Sequence, residues 1–364
     1  MRMRTFVVVL GAFAALAAGD ARPAVAQFYA QHNLVSDGAV PADLVDPNLV
    51  NAWGLAAGPA TPWWVSDNGT GVSTLYNGNT GVKLSLTVTV PGAPTGVVFN
   101  GGTGFVVTDG VDSGPARFLF ASEDGTISGW NPSVPPPPTS TQAFVVVNNS
   151  ASGAVYKGLA IATTTDGEFL YATNFRAGTV DVFDSNFAAV PGGFSDPDIP
   201  EGYAPFGIAN IGGVIYVTYA LQDADKMDDV PGEGHGYVDA FDTSGNLLTR
   251  VASKGPLNSP WGLALAPDNF GKFSGDLLVG NFGNGHINAF DFEKHTGSGE
   301  FQHRGPLHSA DGPPIEIDGL WALGFGNGSA AGPKDVLFFT AGPFEEAHGL
   351  FGTLVAVPPP GRQR

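Results

Sequence analysis

Short runs of apolar and β-branched residues, each ending in a polar step, recur along most of the chain. Examples are WWVSDN at 63–68, LYATNF at 170–175 and LLVGNF at 277–282. Runs of roughly four to eight such residues, bounded by Gly, Asn or Asp, are typical of β-strands. The chain also has 52 Gly, 29 Pro and only 14% charged residues. This pattern and composition predict a turn-rich, all-β protein.

A four-residue motif organises these strands. WGLA occurs at 53–56 and again at 261–264, and related steps bring the number of copies to six. A second and a third predicted strand follow each copy, and the separations of 42 to 62 residues are near or somewhat above the roughly 40 to 50 residues of four-stranded blade repeats. Six such units predict a closed, six-bladed β-propeller. The copies are Trp53-Gly54-Leu55-Ala56, Thr95-Gly96-Val97-Val98, Lys157-Gly158-Leu159-Ala160, Phe206-Gly207-Ile208-Ala209, Trp261-Gly262-Leu263-Ala264 and Trp321-Ala322-Leu323-Gly324.

The motif alternates large and small residues, which suggests a packing role. On an extended strand, Trp53 and Leu55 point to one face, and Gly54 and Ala56 to the other. The innermost strands of neighbouring blades converge near the axis, so the large face of one strand can pack on the small face of the next. We therefore predict that the aromatic residues at 53, 206, 261 and 321 serve packing, with a ligand platform as the alternative.

The two ends of the repeat region predict how the ring closes. The last blade reaches GTLVAV at 352–357 without a fourth strand, and FYAQHNLVSD at 28–37 has no blade of its own. Pairing these segments removes two exposed strand edges. We predict that the N-terminal segment completes blade six, within a propeller over 27–357 that is followed by a C-terminal tail at 358–364.

The first residues have the features of a secretory signal. Arg2 and Arg4 precede an apolar run at 5–18, and Ala24 and Ala26 are small residues placed for a signal peptidase. We expect residues 1–26 to be cleaved and the protein to be exported to the periplasm or the exterior, with an uncleaved anchor as the alternative. The apolar run is shorter than the roughly 20 residues of a membrane-spanning helix, so we expect no membrane span.

The charge balance limits the classes of partner. The formal net charge is −18 with 16 Lys and Arg, which argues against nucleic acid because phosphate contacts need cationic side chains. An acidic surface attracts cations or basic ligands instead. The chain has no Cys, so its stability comes from its core or from a bound ion. We expect a monomer that binds a small molecule, a glycan or a protein.

The order of motifs resembles that of an uncharacterised family of exported bacterial proteins predicted to be six-bladed propellers. The resemblance rests on NLVSDG, NAWGLA, SPWGLALAP and GNFGNGHINAFD at 280–291, and it spans essentially the whole chain after the signal. It implies the fold and export but no activity. More distantly, the blades are similar to those of NHL-repeat and SMP-30/gluconolactonase propellers, in which a metal lies at the channel mouth. That second resemblance is architectural and assigns no catalytic residue.

Polar residues at the ends of the second strands are candidates for a site. Loops that join second to third strands and blade to blade open on one face, which we call the top face, and function is expected there. Four of these residues are Asp or Asn and could form a collar that binds a cation or a polyhydroxylated ligand; the alternative is that each caps its own turn. The six positions are Asp67, Asp109, Asn174, Tyr219, Asn281 and Ala341.

Lys157 is another candidate because it replaces the Trp found in three sister blades. It could orient an anionic ligand at the mouth. The alternative is that its stem covers apolar surface while its head remains in water.

The most acidic stretch lies within YALQDADKMDDVPGEGHGYVDAF at 219–241. It predicts a long loop in blade four that carries several carboxylates, and calcium takes six to eight oxygen ligands. We consider calcium at this loop and, as the alternative, a solvated acidic loop that Lys226 partly neutralises. Met227 stands where an EF-hand has a ligand, so the loop is not an EF-hand. Its carboxylates are Asp223, Asp225, Asp228, Asp229 and Glu233.

Three histidines, His235, His286 and His348, precede the third strands of blades four to six and could share the top face. Together with Glu345 or Glu346 they could hold a metal or act as a general base. The chain has no HExxH, GxSxG or Walker A motif. Our leading prediction is an exported binding or scaffold propeller with a ligand or cation site on its top face. A metal-dependent hydrolase or lactonase at the channel mouth is the alternative, and the catalytic residues are unknown.

Overall fold

The computed structural model describes residues 27–297 and 299–359. Within this part of the chain, six antiparallel sheets of at least four strands are arranged as the blades of a β-propeller. The predicted all-β, six-bladed fold is therefore confirmed. The predicted signal at 1–26 and most of the tail at 358–364 lie outside the described residues.

The strands follow one another in the order expected for a propeller. The chain starts with β1 (Phe28–Ser36) and β2 (Leu44–Val45), and blade one then contains β3 (Ala52–Ala56), β4 (Trp63–Asp67), β5 (Val72–Tyr76) and β6 (Lys83–Thr89). Blade two contains β7 (Pro94–Phe99), an inserted hairpin of β8 (Val106–Thr108) and β9 (Ser113–Pro115), and then β10 (Phe118–Ser122), β11 (Thr126–Trp130) and β12 (Phe144–Asn148). Blade three contains β13 (Tyr156–Thr164), β14 (Gly167–Asn174), β15 (Thr179–Asp184) and β16 (Ala189–Val190).

The remaining blades repeat the same order. Blade four contains β17 (Tyr203–Ile211), β18 (Val214–Leu221), β19 (Tyr237–Phe241) and β20 (Leu247–Ser253). Blade five contains β21 (Pro260–Leu265), β22 (Leu277–Asn281), β23 (Ile287–His295) and β24 (Phe301–Pro306), and blade six contains β25 (Leu320–Phe325), β26 (Leu337–Ala341) and β27 (Leu350–Val357). Three single 3-10 turns occur at Asn68–Thr70, Ser150–Ser152 and Gly271–Phe273.

The N-terminal strand completes blade six, as predicted. β1 pairs antiparallel with β27 from Phe28 opposite Val357 to Ser36 opposite Leu350, and β2 adds a short parallel fifth strand. The hydroxyl of Tyr29 donates a 3.0 Å hydrogen bond to the main-chain oxygen of Phe270 in blade five. The first strand of the chain thus joins the last blade and also contacts its neighbour.

Blade two differs from the prediction. The run at 105–110 was expected to be its second strand, but this prediction is wrong, because it belongs to the β8–β9 hairpin and β10 is the second strand. Val106 is 50% exposed, whereas every residue of β10 is buried. A central strand of a blade is covered on both faces, so the continuous apolar run FLFAS suits that place better than the alternating FVVTD.

The small residue of each motif is required by the contact with the next blade. A Cβ on Gly207 would lie 2.1 Å from the main-chain oxygen of Trp261, and one on Gly262 would lie 2.5 Å from that of Trp321. In blade one, a Cβ on Gly54 would lie 2.3 Å from the main-chain oxygen of Thr95. The predicted packing role is confirmed, and its cause is the close approach of adjacent inner strands.

The large residues of the motif meet on the propeller axis. The rings of Trp53 and Trp321 stack with centroids 3.6 Å apart, and the ring of Phe282 stacks on the other side of Trp321 at 4.0 Å. Trp261 is only 9% exposed and contacts both tryptophans edge-on. We call this group the aromatic plug, because it fills the upper channel; it comprises Trp53, Phe175, Phe206, Trp261, Phe282 and Trp321.

Candidate functional site

Lys157 lies buried immediately above the aromatic plug. Its side chain is 1% exposed, and its Nζ lies 5.1 Å from the centre of the Trp53 ring. Nζ donates hydrogen bonds to Oε1 of Glu123 and, at 3.1 Å, to Oδ1 of Asp228. Burial opposes the charge, but the two carboxylates outweigh it and raise the pKa of Lys157. The alternative that placed its head in water is wrong; Lys157 is a paired, buried cation.

Glu123 is a site residue that the sequence analysis missed. It directly follows β10 and corresponds by register to Asn68 of blade one, whereas Ser122 holds the place in blade two that was assigned to Asp109. Its Oε2 accepts a 2.9 Å hydrogen bond from Nδ2 of Asn68, which lies in the β4–β5 turn of blade one. Glu123 thus connects Lys157 to a neighbouring blade.

Asn51 links Glu346 to the aromatic plug. Its Nδ2 donates to Oε2 of Glu346 at 2.6 Å and to Oδ1 of Asn68 at 3.2 Å. Its Oδ1 accepts a 2.9 Å hydrogen bond from Nε1 of Trp321. Burial raises the pKa of Glu346 to about 7, although the hydrogen bond from Asn51 and the charge of Lys157 oppose that shift.

Asp229 is the second perturbed carboxyl at this place. Burial raises its pKa to about 6, against the opposing effects of Ser259 and Lys157. Its Oδ2 is buried and has no hydrogen-bond partner among the described residues. A buried polar atom without a partner costs free energy.

These groups form one cluster on the top face, which we call the mouth cluster. Lys157 comes from β13 and the other members from loops, so that five blades contribute, and Ser259 of blade five lies next to Asp229. Perturbed titratable groups that converge in this way are typical of functional sites. The mouth cluster comprises Asn51, Asn68, Glu123, Lys157, Asp228, Asp229 and Glu346.

Backbone strain is concentrated around the mouth cluster. Three consecutive residues, Phe344, Glu345 and Glu346, have φ of 57°, 55° and 64°, and Asn51 and Ser259 have φ of 46° and 47°. These left-handed conformations favour glycine and cost free energy for other residues. The turn at 344–346 is closed by a 3.1 Å hydrogen bond from the amide of Glu346 to the main-chain oxygen of Gly342. Such strain is typical of sites that orient side chains for a ligand.

Two residues of the predicted collar, Asp67 and Asn174, bond to side chains within their own blades. Oδ2 of Asp67 accepts a 2.7 Å hydrogen bond from Thr74, and burial raises the pKa of Asp67 well above its usual value. Nδ2 of Asn174 donates to Asp181 at 3.0 Å.

The other two Asp or Asn residues of the predicted collar, Asn281 and Asp109, also bond to groups outside the mouth cluster. Nδ2 of Asn281 donates to the main-chain oxygen of Pro256 at 2.8 Å. Asp109 lies in the exposed β8–β9 hairpin, where its Oδ1 accepts from the amides of Val111 and Asp112 at 2.8 and 2.7 Å. That hairpin follows the lower end of β7, on the face opposite the mouth cluster. Asp109 and Asn174 accept hydrogen bonds from amides of their own turns, as the turn-capping alternative expects, whereas Asp67 makes no capping hydrogen bond.

The acidic loop is divided between the mouth and the solvent. Asp228 and Asp229 join the mouth cluster, whereas Asp225 is exposed and Asp223 accepts a 2.9 Å hydrogen bond from the amide of Met227 in its own turn. In the described part of the chain, no three His, Asp or Glu side chains are placed to hold one metal ion. The four aspartates suggested as calcium ligands therefore do not form one cage.

The three candidate histidines have separate partners. Nδ1 of His235 lies 2.9 Å from the main-chain oxygen of Val230, and Nδ1 of His348 lies 2.6 Å from Oδ2 of Asp37. The main-chain groups of His286 bond within the β22–β23 turn. Of the acidic partners suggested for them, Glu346 joins the mouth cluster and Glu345 is exposed.

Fold and mouth cluster together define a six-bladed β-propeller with a polar, strained site over a plugged channel. The chain belongs to the family of the uncharacterised proteins R648 and L690 of Acanthamoeba polyphaga mimivirus. It is 36% identical to each over 340 residues, which covers 88% of this chain and 78% of R648 or 84% of L690. No model of a known protein family matches the chain.

Solved structures share the architecture at low sequence identity. A Bacteroides thetaiotaomicron protein of unknown function has a TM-score of 0.54 at 12% identity, covering 89% of this chain and 76% of that one. The PQQ-bound aldose sugar dehydrogenase of Streptomyces coelicolor has a TM-score of 0.50 at 14% identity, with coverages of 91% and 99%. Regucalcin of Agrobacterium tumefaciens is more distant, at 0.45 and 12%, with coverages of 87% and 95%.

These likenesses concern the fold alone. Among the described residues, no helix is long and apolar enough to cross a membrane.

Proposed function

We propose that the protein is a ligand-binding propeller and that its mouth cluster receives a cationic ligand. The observation that supports this proposal is the imbalance of charge: Glu123, Asp228, Asp229 and Glu346 surround a single cation, Lys157. The net charge of −18 extends the negative field over the whole chain. A field of this sign draws cations towards a charged mouth.

The raised pKa values support a ligand that carries positive charge. Near neutral pH the carboxyl of Glu346, whose pKa is about 7, and that of Asp229, whose pKa is about 6, hold protons part of the time. A nearby cation favours the ionised carboxylate and releases those protons. Binding of a cation should therefore weaken as the pH falls, which distinguishes it from binding of a neutral ligand.

An organic ammonium group fits the mouth cluster better than calcium does. The ammonium of Lys157 itself lies over the Trp53 ring and between two carboxylates, so the site already accommodates this group. Calcium takes six to eight oxygen ligands, and the aspartates of the acidic loop do not converge on one point. We keep calcium as the competing cation in the test.

Calorimetry with n-propylammonium chloride and with calcium chloride, at matched ionic strength and about pH 8, tests the proposal. We expect saturable binding of the ammonium that weakens at about pH 5.5. Asp228→Asn should weaken it by about tenfold, while Asp225→Asn, on the exposed part of the same loop, should leave it unchanged. Absence of binding by both cations, or equal effects of the two variants, would overturn the proposal. Binding of calcium alone would replace the ammonium with the metal.

A second candidate function is hydrolysis at the mouth, as in a lactonase. It is favoured by Glu346, because a carboxyl with a pKa of about 7 is suited to act as a general base at neutral pH. Turnover of a lactone that is lost in Glu346→Gln and retained in Glu345→Gln would support this candidate. Failure to hydrolyse a panel of lactones, with or without divalent metal, would leave the binding function alone.

We also propose that the protein acts outside the cytoplasm, on the basis of the signal-like sequence at 1–26. Expression of the full chain in a bacterial host, followed by N-terminal sequencing of the periplasmic fraction, tests this. A mature chain that starts at Gln27 supports export, and an intact chain in the cytoplasm contradicts it.

A further inference from the structure

A cavity, which we call the lower cavity, lies on the axis below the aromatic plug. It has a volume of about 370 Å³ and is lined by the first strands of all six blades. Trp261 forms part of its upper wall. Val98, Phe99 and Ile161, nearer the lower ends of their strands, are partly exposed. The cavity is therefore closed towards the top face and opens on the bottom face.

Most side chains that line this cavity are apolar, and the polar groups among them belong to Asn210 and to the indoles of Trp63 and Trp261. Nε1 of Trp63 has no hydrogen-bond partner among the described residues. Nδ2 of Asn210 donates to the main-chain oxygen of Ile161, and its Oδ1 accepts from the amide of Gly213, both at 2.9 Å. Its polar atoms are thus already bonded to the protein. Among the described residues that line the cavity, none has an ionisable side chain.

The main chain supplies the polar character of the wall. Each first strand is the terminal strand of its sheet, so its inner edge faces the axis without a strand partner. Such edges present amide donors and carbonyl acceptors. The cavity therefore combines an apolar lining with a ring of neutral hydrogen-bonding groups, which is the composition of many small-molecule sites.

We infer that this lower cavity is a binding site for a neutral, mainly apolar small molecule that carries a hydroxyl or carbonyl group. The apolar side chains favour an apolar body, and the strand edges can bond one polar group. A charged group inside the cavity is disfavoured because the wall has no counter-charge, and burying an unpaired ion is costly. A volume of about 370 Å³ lies in the range of small-molecule sites, which is enough for a molecule the size of a medium-chain alcohol.

This site is independent of the function proposed above. No residue of the mouth cluster lines the lower cavity, and the aromatic plug lies between the two. The two ligands also differ in charge, so each site has its own probe.

A matched pair of probes tests the inference. 1-Octanol and octanoate have the same chain length but differ in charge at about pH 8. We expect 1-octanol to bind by calorimetry and to raise the melting temperature by a few degrees, because a ligand that binds only the folded state stabilises it. Octanoate should bind at least about tenfold more weakly.

Two variants locate the binding. Ala209→Phe and Val98→Phe each enlarge a residue of the cavity wall and should remove the effect of 1-octanol, whereas Glu346→Gln at the mouth should preserve it. Because the two substitutions lie in different blades, the test remains valid if one of the two variants fails to fold. The inference is overturned if the parent protein shows no binding of 1-octanol, if octanoate binds equally well, or if a folded filling variant still binds.

Discussion

The ammonium group of Lys157 lies 5.1 Å from the centre of the Trp53 ring, although the two residues come from blades three and one. The contact brings a buried cation onto the aromatic plug at the point where the first strands converge. It also explains why blade three can carry Lys in place of Trp: its aliphatic stem contributes to packing, and its charge is paired by Glu123 and Asp228.

Removal of this cation should destabilise the fold. Lys157→Met keeps most of the volume but leaves Glu123 and its neighbours without a counter-charge, so we expect the free energy of unfolding to fall by about 2–3 kcal/mol at about pH 8. The value lies near the lower end for buried pairs because Asp228 is 68% exposed. Urea denaturation measures the loss. Lys334→Met, at an exposed lysine, should change stability by less than about 0.5 kcal/mol. A loss in Lys157→Met no larger than in this control would contradict the assignment.

Stability should depend on pH through Glu346. The pKa of its carboxyl is about 7 in the folded protein, above the ordinary value of 4.5. Between these values the native state binds more protons than the unfolded state, so the contribution of Glu346 to stability falls as the pH rises from about 4.5 to about 7.

Glu346→Gln should remove that dependence. Relative to the parent, the variant should gain on the order of 3 kcal/mol of stability between about pH 4.5 and about pH 8. Unfolding curves across this range measure the difference, with Glu345→Gln at the exposed neighbour as the control. Parallel pH profiles for the parent and Glu346→Gln would show that the carboxyl titrates normally.

The contact between inner strands predicts a large effect from one methyl group. In Gly207→Ala the new Cβ would lie 2.1 Å from the main-chain oxygen of Trp261. Because both groups belong to backbone held in sheets, we expect a loss of about 2–3 kcal/mol from overpacking. Gly297→Ala is the matched control, since a Cβ there meets nothing within 4 Å. Similar melting temperatures for the two variants would mean that adjacent blades can separate.

The closing strand makes a prediction about association. Deleting residues 28–36 removes β1 and exposes the edge of β27 along most of its length. We expect oligomers or aggregates in size-exclusion chromatography, because unpaired edges recruit other chains. Deleting residues 358–364 serves as the control for a terminal truncation. If the chain without β1 stays monomeric with an unchanged melting temperature, β1 does not protect the edge.

The fold was predictable because the repeated motif encodes a contact between blades. Blade two was the exception. The run at 105–110 and β10 both resemble its second strand, and the number of residues between each of them and β11 distinguishes the two. A hairpin of second and third strands needs a connection of about two to five residues. The run at 105–110 is too far from β11 to form such a hairpin with it, whereas β10 ends four positions before β11 begins. That spacing would have pointed to Ser122 in place of Asp109, and so to Glu123 as the next residue.

The site was only partly predictable. Lys157, Asp228 and Asp229 stood out by composition, because a lone Lys in an aromatic position and clustered carboxylates are visible in one dimension. Asn51 and Asn68 did not stand out in the sequence, since ordinary turn sequences contain asparagine. Their placement at the axis depends on turns from several blades folding inward and, at Asn51, on a left-handed backbone. Neither feature follows from local sequence pattern.

The pairing of β1 with β27 makes the propeller a closed ring, and this has a consequence for how it folds. In an open array of repeats, terminal units can fray and folding can spread from any position. Here every blade has two neighbours, and blade six cannot form until both ends of the ring are present. Closing such a long loop is slow because its entropy is lost before the contacts form. We therefore expect the six blades to unfold in one cooperative transition and blade six to be completed last during synthesis.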